Sequence, residues 1–346
     1  MDRREFIKRV LRGERSERIP RALYGAGLWS YRHSALNIAE LHKCPERFGK
    51  ALADFFSELD TDIIFLGSGL NTFPAEAIGG DLAFTGEKAP LLSFPLIQKT
   101  QDARYLEDID ISVSANALAL IEMIAVIREL LPDRFICATS WGPFTWGMIL
   151  CEWNLLRDKT ATDIEFVGEV CELGVRLSQA FFSPLIERGL IDGIALPDGA
   201  VTLIPGSVYH DIVLPAERRL FEWAGERRVG SFLHQCGNIS TQLALYPESG
   251  ADCISVDTGV SIGEVCRLYG ERLVTAGNVD VINTIFGGDP AVLCKAVSEC
   301  VAEVPDPFRN YILMPSCDLP PDTPVHHAKE FLACADLVEQ TIRAGK

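Results

Sequence analysis

Short runs of apolar residues recur along the chain, and most are followed by a polar turn that contains glycine or proline. Runs without alternating polar positions are typical of strands that are buried on both faces of a parallel sheet. Eight such runs lie at 21–24, which is the weakest, and at 62–66, 134–138, 193–196, 229–234, 252–256, 273–276 and 311–314.

Between these runs, apolar residues recur at three- and four-residue spacing, which predicts amphipathic helices. The predicted helices span 44–59, 113–131, 162–188, 207–223, 262–269, 290–304 and 324–344. Thr162, Ser207, Ser261 and Asp289 are expected to cap four of them. Eight strands that alternate with helices predict an α/β fold, the (β/α)8 or TIM barrel, with an open doubly wound sheet as the alternative. No G-x-G-x-x-G turn follows a predicted strand, which weakens the dinucleotide-binding form of that alternative.

Composition and charge narrow the class of protein. The 346 residues are 48% hydrophobic and 23% charged, as in ordinary globular proteins, and no linker divides them, so we expect one domain over 1–346 with an N-terminal extension. The formal net charge of −16 disfavours nucleic acid and anionic membrane surfaces as partners. Without a signal peptide or an 18-residue apolar run, a cytoplasmic location is expected. The odd number of cysteines, 11, suggests reduced thiols rather than a disulfide framework.

Three residues could form a metal site. His234 and Cys236 stand two positions apart at the end of the fifth run, 229–234, so both side chains project to one face of an extended strand. Cys317 directly follows the last run, at the same end of a barrel. One imidazole and two thiolates suit zinc and leave one coordination position open. A formally neutral site of this kind favours alkyl transfer to or from sulfur over hydrolysis.

The alternative is that these residues are structural. A cysteine at a strand end is usually a small buried apolar residue, and a histidine beside it is usually only hydrogen-bonded. The H-x-C spacing with one distant cysteine is also less specific than paired C-x-x-C motifs. We expect the remaining nine cysteines, at 44, 137, 151, 171, 253, 266, 294, 300 and 334, to be core residues.

Motifs over nearly the whole chain carry a family resemblance. They are RREFIKRVLRGERSERIP, DTDIIFL, EAIGGDLAF, WGPFTWGMIL, FLHQCGN, GADCISVDTGVSIGEVCRLYGERLVTAGNVD and PSCDLPPDTP. In these segments the chain resembles the uroporphyrinogen decarboxylase superfamily, and within it the corrinoid-linked branch typified by methylcobamide:coenzyme M methyltransferases. The resemblance implies a distorted (β/α)8 barrel and zinc bound by His234, Cys236 and Cys317. It also implies that a zinc-bound thiolate attacks a methyl group presented on the corrinoid of a separate protein.

The chain departs from the decarboxylases of that superfamily at two places. It lacks their arginine-rich N-terminal segment, and the first long run continues as Leu66-Gly67-Ser68 without the carboxylate that grips the pyrroles. Such a carboxylate would be needed to pair with the pyrrole N–H groups and the developing cation, so we do not expect decarboxylation. Asp60 and Asp62 are expected to cap or flank the strand. His326 and His327, where methyltransferases often have asparagine, are expected to be surface residues, with adaptation to another substrate as the alternative.

Other candidates follow predicted strands and should lie at the rim of the barrel. Asp198, Asp257 and Asn278 are expected to contact substrate or support the site, although such residues may equally cap the next helix, as we expect of Asp280. An aromatic loop after the third run is expected to cover the corrin or to wall an apolar substrate pocket, with ordinary packing as the alternative. Its aromatic residues are Trp141, Phe144 and Trp146.

The leading hypothesis is therefore a zinc-dependent methyltransferase of a corrinoid pathway with an exogenous thiol as methyl acceptor. The chain lacks the D-x-H-x-x-G signature of cobalamin domains, so the corrinoid is expected on a partner protein. The first alternative is the opposite transfer, from a methylated thiol or methoxylated compound to Co(I) corrinoid. The second is a non-catalytic corrinoid- or tetrapyrrole-binding relative. The acceptor, donor and oligomeric state are left open, including a homodimer.

Overall fold

The computed structural model describes residues 2–86, 88–100, 102 and 109–344, and its centre is a parallel sheet of seven strands. The order of the strands is β1-β4-β5-β6-β7-β8-β9, so each strand lies beside its neighbour in the sequence except where the small antiparallel pair β2–β3 intervenes. The strands are β1 (Ile63–Leu66), β2 (Leu82–Ala83), β3 (Leu91–Leu92), β4 (Phe135–Thr139), β5 (Gly193–Pro197), β6 (Gly230–Gln235), β7 (Cys253–Val256), β8 (Val274–Ala276) and β9 (Tyr311–Ile312).

The weakest predicted strand closes this sheet into a barrel. Arg21 forms a parallel bridge with Leu313, and Ala22 forms one with Ile63. The Ala22 N–H donates to the Leu313 carbonyl at 3.0 Å, and the Asp62 N–H donates to the Arg21 carbonyl at 2.9 Å. Two residues therefore replace a full strand between β9 and β1. The result is the distorted (β/α)8 barrel and not the open sheet.

Helices form the outer layer, and several begin where the sequence predicts. Ser261 and Asp289 cap their helices through their side chains, as expected, but Thr162 ends one helix and Asp163 caps the next. Ser207 makes no side-chain cap. The helices are α1 (Arg3–Leu11), α2 (Gly27–His33), α3 (Pro45–Ser57), α4 (Ala115–Leu130), α5 (Pro143–Leu150), α6 (Trp153–Thr162), α7 (Ile164–Glu187), α8 (Gly206–Val208), which continues through a π-helical turn (Tyr209–Val213) into α9 (Leu214–Glu226), α10 (Ile262–Tyr269), α11 (Pro290–Glu303) and α12 (Val325–Ala344).

Aromatic side chains and α1 close the N-terminal end of the barrel. The ring of Phe232 meets those of Phe65 and Phe135 edge to face, with centroids 5.6 and 6.1 Å apart. Phe6 and Ile7 of α1 belong to the same buried cluster. Because this end is filled with apolar side chains, a polar site in the barrel interior is restricted to the C-terminal end of the strands.

Charged residues surround the closing bridge. Asp62 is fully buried and accepts hydrogen bonds from the guanidinium of Arg18 and from the Arg21 backbone N–H. Asp60 is exposed and pairs with Arg3 and Arg21. Both carboxylates therefore flank β1 at its N-terminal end, as expected from the sequence.

The cysteines depart from the all-reduced expectation at one place. Cys294 of α11 and Cys334 of α12 form a disulfide, because the packing of these helices brings their Cα atoms to 5.2 Å, within the range a disulfide spans. The prediction that these two are simple core thiols was therefore wrong. Of the other predicted core cysteines, Cys44 and Cys266 are only partly buried, and the rest are buried: Cys137, Cys151, Cys171, Cys253 and Cys300.

The two adjacent histidines at the start of α12 differ in their exposure. His326 is exposed, but His327 is buried, with its ring against Gly288 and its Nδ1 3.1 Å from the Ile285 carbonyl. The surface assignment was therefore wrong for His327, because α12 packs this side chain against the segment before α11.

In residues 2–86, 88–100, 102 and 109–344, no helix combines the length and hydrophobicity that crossing a bilayer requires.

Candidate metal centre

The end of β6 directs an imidazole and a thiol into the barrel. Phe232 belongs to the interior cluster, and side chains two positions apart share a face of a strand, so His234 points inward as well. Cys236 follows just after the strand ends. The Nε2 atom of His234 lies 2.9 Å from the Sγ of Cys236, and the His234 side chain has no exposed area.

Cys317 reaches the same point from the other side of the barrel. It follows β9, which is separated from β6 by β7 and β8. Its Sγ is 3.5 Å from the Sγ of Cys236, and the ligand atoms of His234, Cys236 and Cys317 all lie within 4.8 Å of one another. The structure thus brings together the three residues that the sequence singled out, although Cys317 is 81 positions from Cys236.

Two neighbours hold the His234 ring in place. The hydroxyl of Ser255, which pairs with His234 in the β6–β7 register, lies 2.9 Å from Nδ1. This contact leaves Nε2 directed at the sulfurs. The ring of Tyr24 stacks on the imidazole with centroids 4.1 Å apart and an interplanar angle of 27°. Neither Ser255 nor Tyr24 was among the site residues predicted from the sequence. For Tyr24 the signal was its place two residues beyond Ala22, which puts it on the inward face of residues 21–26, the closing segment of the barrel.

The two thiols form an unequal pair. A hydrogen bond from Cys236 lowers the pKa of Cys317 well below that of an ordinary thiol, and hydrogen bonding and attraction from His234 act in the same direction. The same hydrogen bond to Cys317, together with burial, raises the pKa of Cys236. The hydrogen bond between the two sulfurs therefore favours one thiolate and one thiol in this pair when no metal is bound.

A partly buried carboxylate stands next to Cys317. Asp318 accepts hydrogen bonds from the Ala26 backbone N–H, at 2.6 Å, and from the Ser68 hydroxyl. Burial raises the pKa of Asp318 to about 6. Gly25 lies so close that a Cβ there would stand 2.4 Å from the Asp318 carboxyl carbon. Asp318 therefore ties the Cys317 loop to the closing segment and to the loop after β1.

The donor set fits zinc. One imidazole nitrogen and two sulfurs are ligands that zinc prefers, and three protein ligands are typical of sites that keep a position for substrate. The Ser255 contact to Nδ1 is the outer hydrogen bond that metal-ligating histidines usually make. A largely enclosed cluster that holds two sulfurs beside a carboxylate also favours a bound cation.

Asp257 lies beside this cluster, and Asn278 contacts the loop that carries Asp257. The Asp257 carboxylate accepts a hydrogen bond from the Gly237 backbone N–H at 2.8 Å and thus holds the residue after Cys236. The Asn278 amide donates to the Asp257 and Val260 carbonyls at 3.0 and 2.9 Å. Both side chains are partly exposed at the C-terminal rim, as the sequence predicts, and their hydrogen bonds connect the loops after β6, β7 and β8. Asp280 caps the following turn, as expected.

Asp198 lies behind the rim. It has no exposed area, and its carboxylate accepts hydrogen bonds from the Phe144 and Thr145 backbone N–H groups and from the Thr145 hydroxyl. Burial raises the pKa of Asp198 to about 6, and it also raises the pKa of the neighbouring Glu217. Because the start of α5 occupies the carboxylate of Asp198, we do not assign this residue a contact with substrate.

The aromatic loop is mostly core. Phe144 and Trp146 are 0% exposed, and the Trp146 indole N–H donates to the Ser178 hydroxyl at 3.1 Å. These two rings therefore do not face a corrin or a substrate in this structure, because α5 packs them against α7. Trp141 is partly exposed, and its indole N–H donates to the Thr72 hydroxyl at 3.2 Å. Of the three, it alone retains the predicted position at the rim.

Comparisons with known proteins agree with this architecture. A methylcobamide:CoM methyltransferase, MtbA of Methanosarcina acetivorans, is 28% identical over 259 residues, which cover 74% of this chain and 73% of the relative. A uroporphyrinogen decarboxylase of Nocardia farcinica is 24% identical over 290 residues, 82% of this chain and 79% of the relative. A solved methyltransferase from Methanosarcina mazei has the same fold, with a TM-score of 0.84 and 20% identity over 97% of this chain and 98% of that one. The family model described as "Uroporphyrinogen decarboxylase (URO-D)" matches residues 2–337. The chain therefore belongs to the uroporphyrinogen decarboxylase family.

Proposed function

We propose that the protein is a zinc-dependent methyltransferase that moves a methyl group between a corrinoid, carried by a partner protein, and a small-molecule thiol. The observation that carries this proposal is the convergence of the ligand atoms of His234, Cys236 and Cys317 within 4.8 Å at the C-terminal end of the barrel. The similarity to a methylcobamide:CoM methyltransferase supports both the corrinoid and the thiol.

His234, Cys236 and Cys317 would hold the metal. When bound, zinc would lower the pKa of an incoming thiol and so provide a thiolate nucleophile at neutral pH. Two cysteine thiolates would balance the charge of the cation, which leaves the negative charge of the incoming sulfur available for attack on a methyl carbon.

The other residues of the site orient and enclose these ligands. Ser255 holds the His234 ring through Nδ1, and the apolar interior below His234 excludes water from the ligands. Asp257 holds the Gly237 N–H and so restrains the loop that carries Cys236. Asn278 holds the loop that carries Asp257 through the carbonyls of Asp257 and Val260. We assign these three a positioning role in the transfer.

We also infer that decarboxylation of a tetrapyrrole is not the reaction. The loop after β1 reads Gly67-Ser68-Gly69 and contains no carboxylate. The carboxylate nearest to it in the barrel is Asp318, whose oxygens already accept hydrogen bonds from Ala26 and Ser68. These hydrogen bonds give Asp318 a structural role, so the pyrrole N–H groups of a tetrapyrrole would lack a dedicated partner.

Metal analysis of purified variants tests the ligand assignment. The wild-type protein is expected to hold one zinc ion per chain, and His234→Ala and Cys317→Ser are expected to lose it. Cys266→Ser is the matched control, because Cys266 is also a partly buried free cysteine but lies on α10, outside the cluster. Stoichiometric zinc in either ligand variant would contradict the assignment.

A transfer assay separates the proposed reaction from its alternatives. Zinc-loaded enzyme is incubated with free methylcobalamin and a panel of thiols that includes coenzyme M, and demethylation of the corrin is followed by its absorption spectrum. Demethylation that depends on a thiol supports the proposal. Absence of demethylation with every thiol, together with methyl transfer from a methylated thiol to Co(I) corrinoid, would support the opposite direction. Absence of both zinc and transfer would support a non-catalytic binding protein.

A further inference from the structure

Tyr24 carries an unpaired polar group in the interior of the barrel. Only 4% of the residue is exposed, and its hydroxyl has no hydrogen-bond partner among residues 2–86, 88–100, 102 and 109–344. A buried hydroxyl without a partner destabilises a folded protein, so such a group needs an explanation. The other tyrosines buried near the barrel show the usual arrangement. The Tyr269 hydroxyl donates to the Leu243 carbonyl at 3.1 Å, and the Tyr311 hydroxyl donates to the Gly277 carbonyl.

The surroundings of Tyr24 indicate what kind of partner is missing. Its ring stacks on His234, so the phenol shares the interior with the ligand cluster. A phenol in this setting keeps its proton and is a hydrogen-bond donor. Its natural acceptor is an anionic atom that enters the site beside the two cysteine sulfurs.

We propose that the Tyr24 hydroxyl is a substrate-binding donor that hydrogen-bonds the sulfur of the exogenous thiol. This inference rests on the proposed function, because it requires a thiol to enter beside Cys236 and Cys317. The donor also discriminates between the two forms of the substrate. A thiolate sulfur is charged and accepts a strong hydrogen bond, whereas the sulfur of the methylated product is neutral and accepts only a weak one. Tyr24 therefore favours binding of the thiol over retention of the thioether.

The substitution Tyr24→Phe removes the hydroxyl and keeps the ring on His234. Binding of coenzyme M and of its methyl thioether to zinc-loaded protein is measured by isothermal titration calorimetry. Tyr24→Phe is expected to bind zinc with unchanged stoichiometry and to lose about ten- to a hundred-fold in affinity for the thiol. Its affinity for the thioether is expected to change by less than about three-fold. Tyr269→Phe, a buried tyrosine away from the site, is the control and is expected to bind both ligands as the wild type does.

The metal-free proteins supply a second readout. Tyr24→Phe deletes a buried group that has no partner, so its melting temperature is expected to equal or exceed that of the wild type. Tyr269→Phe loses a hydrogen bond that is made, so its melting temperature is expected to fall.

The possible results separate this inference from the proposed function. Thiol affinity that is unchanged in Tyr24→Phe, or thiol and thioether affinities that fall equally, overturns the role of Tyr24 while the proposed function stands. Loss of zinc from Tyr24→Phe overturns it as well, because Tyr24 would then act on the ligands. Wild-type protein that binds zinc but no thiol overturns the proposed function and this inference together.

Discussion

Replacing Ser255 with alanine tests whether the hydrogen bond to His234 contributes to metal binding. Ser255 pairs with His234 across β6 and β7, and its hydroxyl lies 2.9 Å from Nδ1. Both residues are 0% exposed, so bulk water does not reach Nδ1 when the hydroxyl is removed. The substitution therefore leaves a buried ring nitrogen without its partner and frees the imidazole to adopt the wrong orientation or tautomer.

The structure allows the size of the effect to be bounded. Loss of the outer partner of a metal-ligating histidine reduces metal affinity by about 10- to 100-fold, which corresponds to about 1.4–2.7 kcal/mol. An unsatisfied buried polar group costs about 1–3 kcal/mol, which is the same range. We expect Ser255→Ala to weaken zinc binding by this amount, since the ring has no second hydrogen-bond partner at Nδ1 among the residues described.

Competition between the protein and a chromophoric zinc chelator measures the affinity. Ser231→Ala is a matched control, because Ser231 is 2% exposed and lies on the same strand, and its hydroxyl donates to Asp252 at 2.9 Å near the opposite end of β6. The control is expected to lower the free energy of unfolding and to leave zinc affinity unchanged. If the two alanine variants bind zinc equally well, the hydrogen bond to Nδ1 does not support the metal and our reasoning is refuted.

Two further predictions concern stability. The pKa of Asp198 is raised from 3.8 to about 6 in the folded protein, so its contribution to stability is present below pH 3.8 and is lost as the pH rises through 6. This rise in pKa corresponds to about 3 kcal/mol. In urea unfolding, the wild type is therefore expected to lose up to about 3 kcal/mol more of its free energy of unfolding between pH 4 and pH 7 than Asp198→Asn loses; parallel pH profiles would contradict this. The Cys294–Cys334 disulfide closes a loop over a separation of 40 residues, so Cys294→Ser is expected to lower the free energy of unfolding by about 4 kcal/mol. Thiol titration of the denatured protein should find 9 thiols before reduction and 11 afterwards, and 11 in both cases would show that the bond is absent.

Much of the fold could be predicted because the strands are short, apolar and regularly spaced. The sequence did not predict helices α5 and α6, which follow one another without a strand between them. The segment around α5 and α6 contains tryptophans, glycine and proline, and its apolar residues have no single face because α5 is buried nearly all round. A period of 3.6 residues is visible only when one side of a helix meets water. The same burial explains why Phe144 and Trp146, predicted at the rim, lie in the core.

For the site, the sequence by itself determined which groups could act together on one strand. The H-x-C spacing places His234 and Cys236 on one face whatever the rest of the fold, because side chains alternate along a strand. The position of Cys317 just after a strand likewise determined the end of the barrel at which it lies.

Only the tertiary structure decided which distant residues complete the site. Tyr24 meets His234 because the closing segment at Arg21 and Ala22 completes the ring of strands, and Ser255 meets it through the register of β6 and β7. Asp198 follows its strand just as Asp257 does, yet one carboxylate caps a buried helix and the other restrains the loop that carries Cys236. Local periodicity determines the face to which a side chain points, whereas the closure and register of the barrel determine which side chain it meets there.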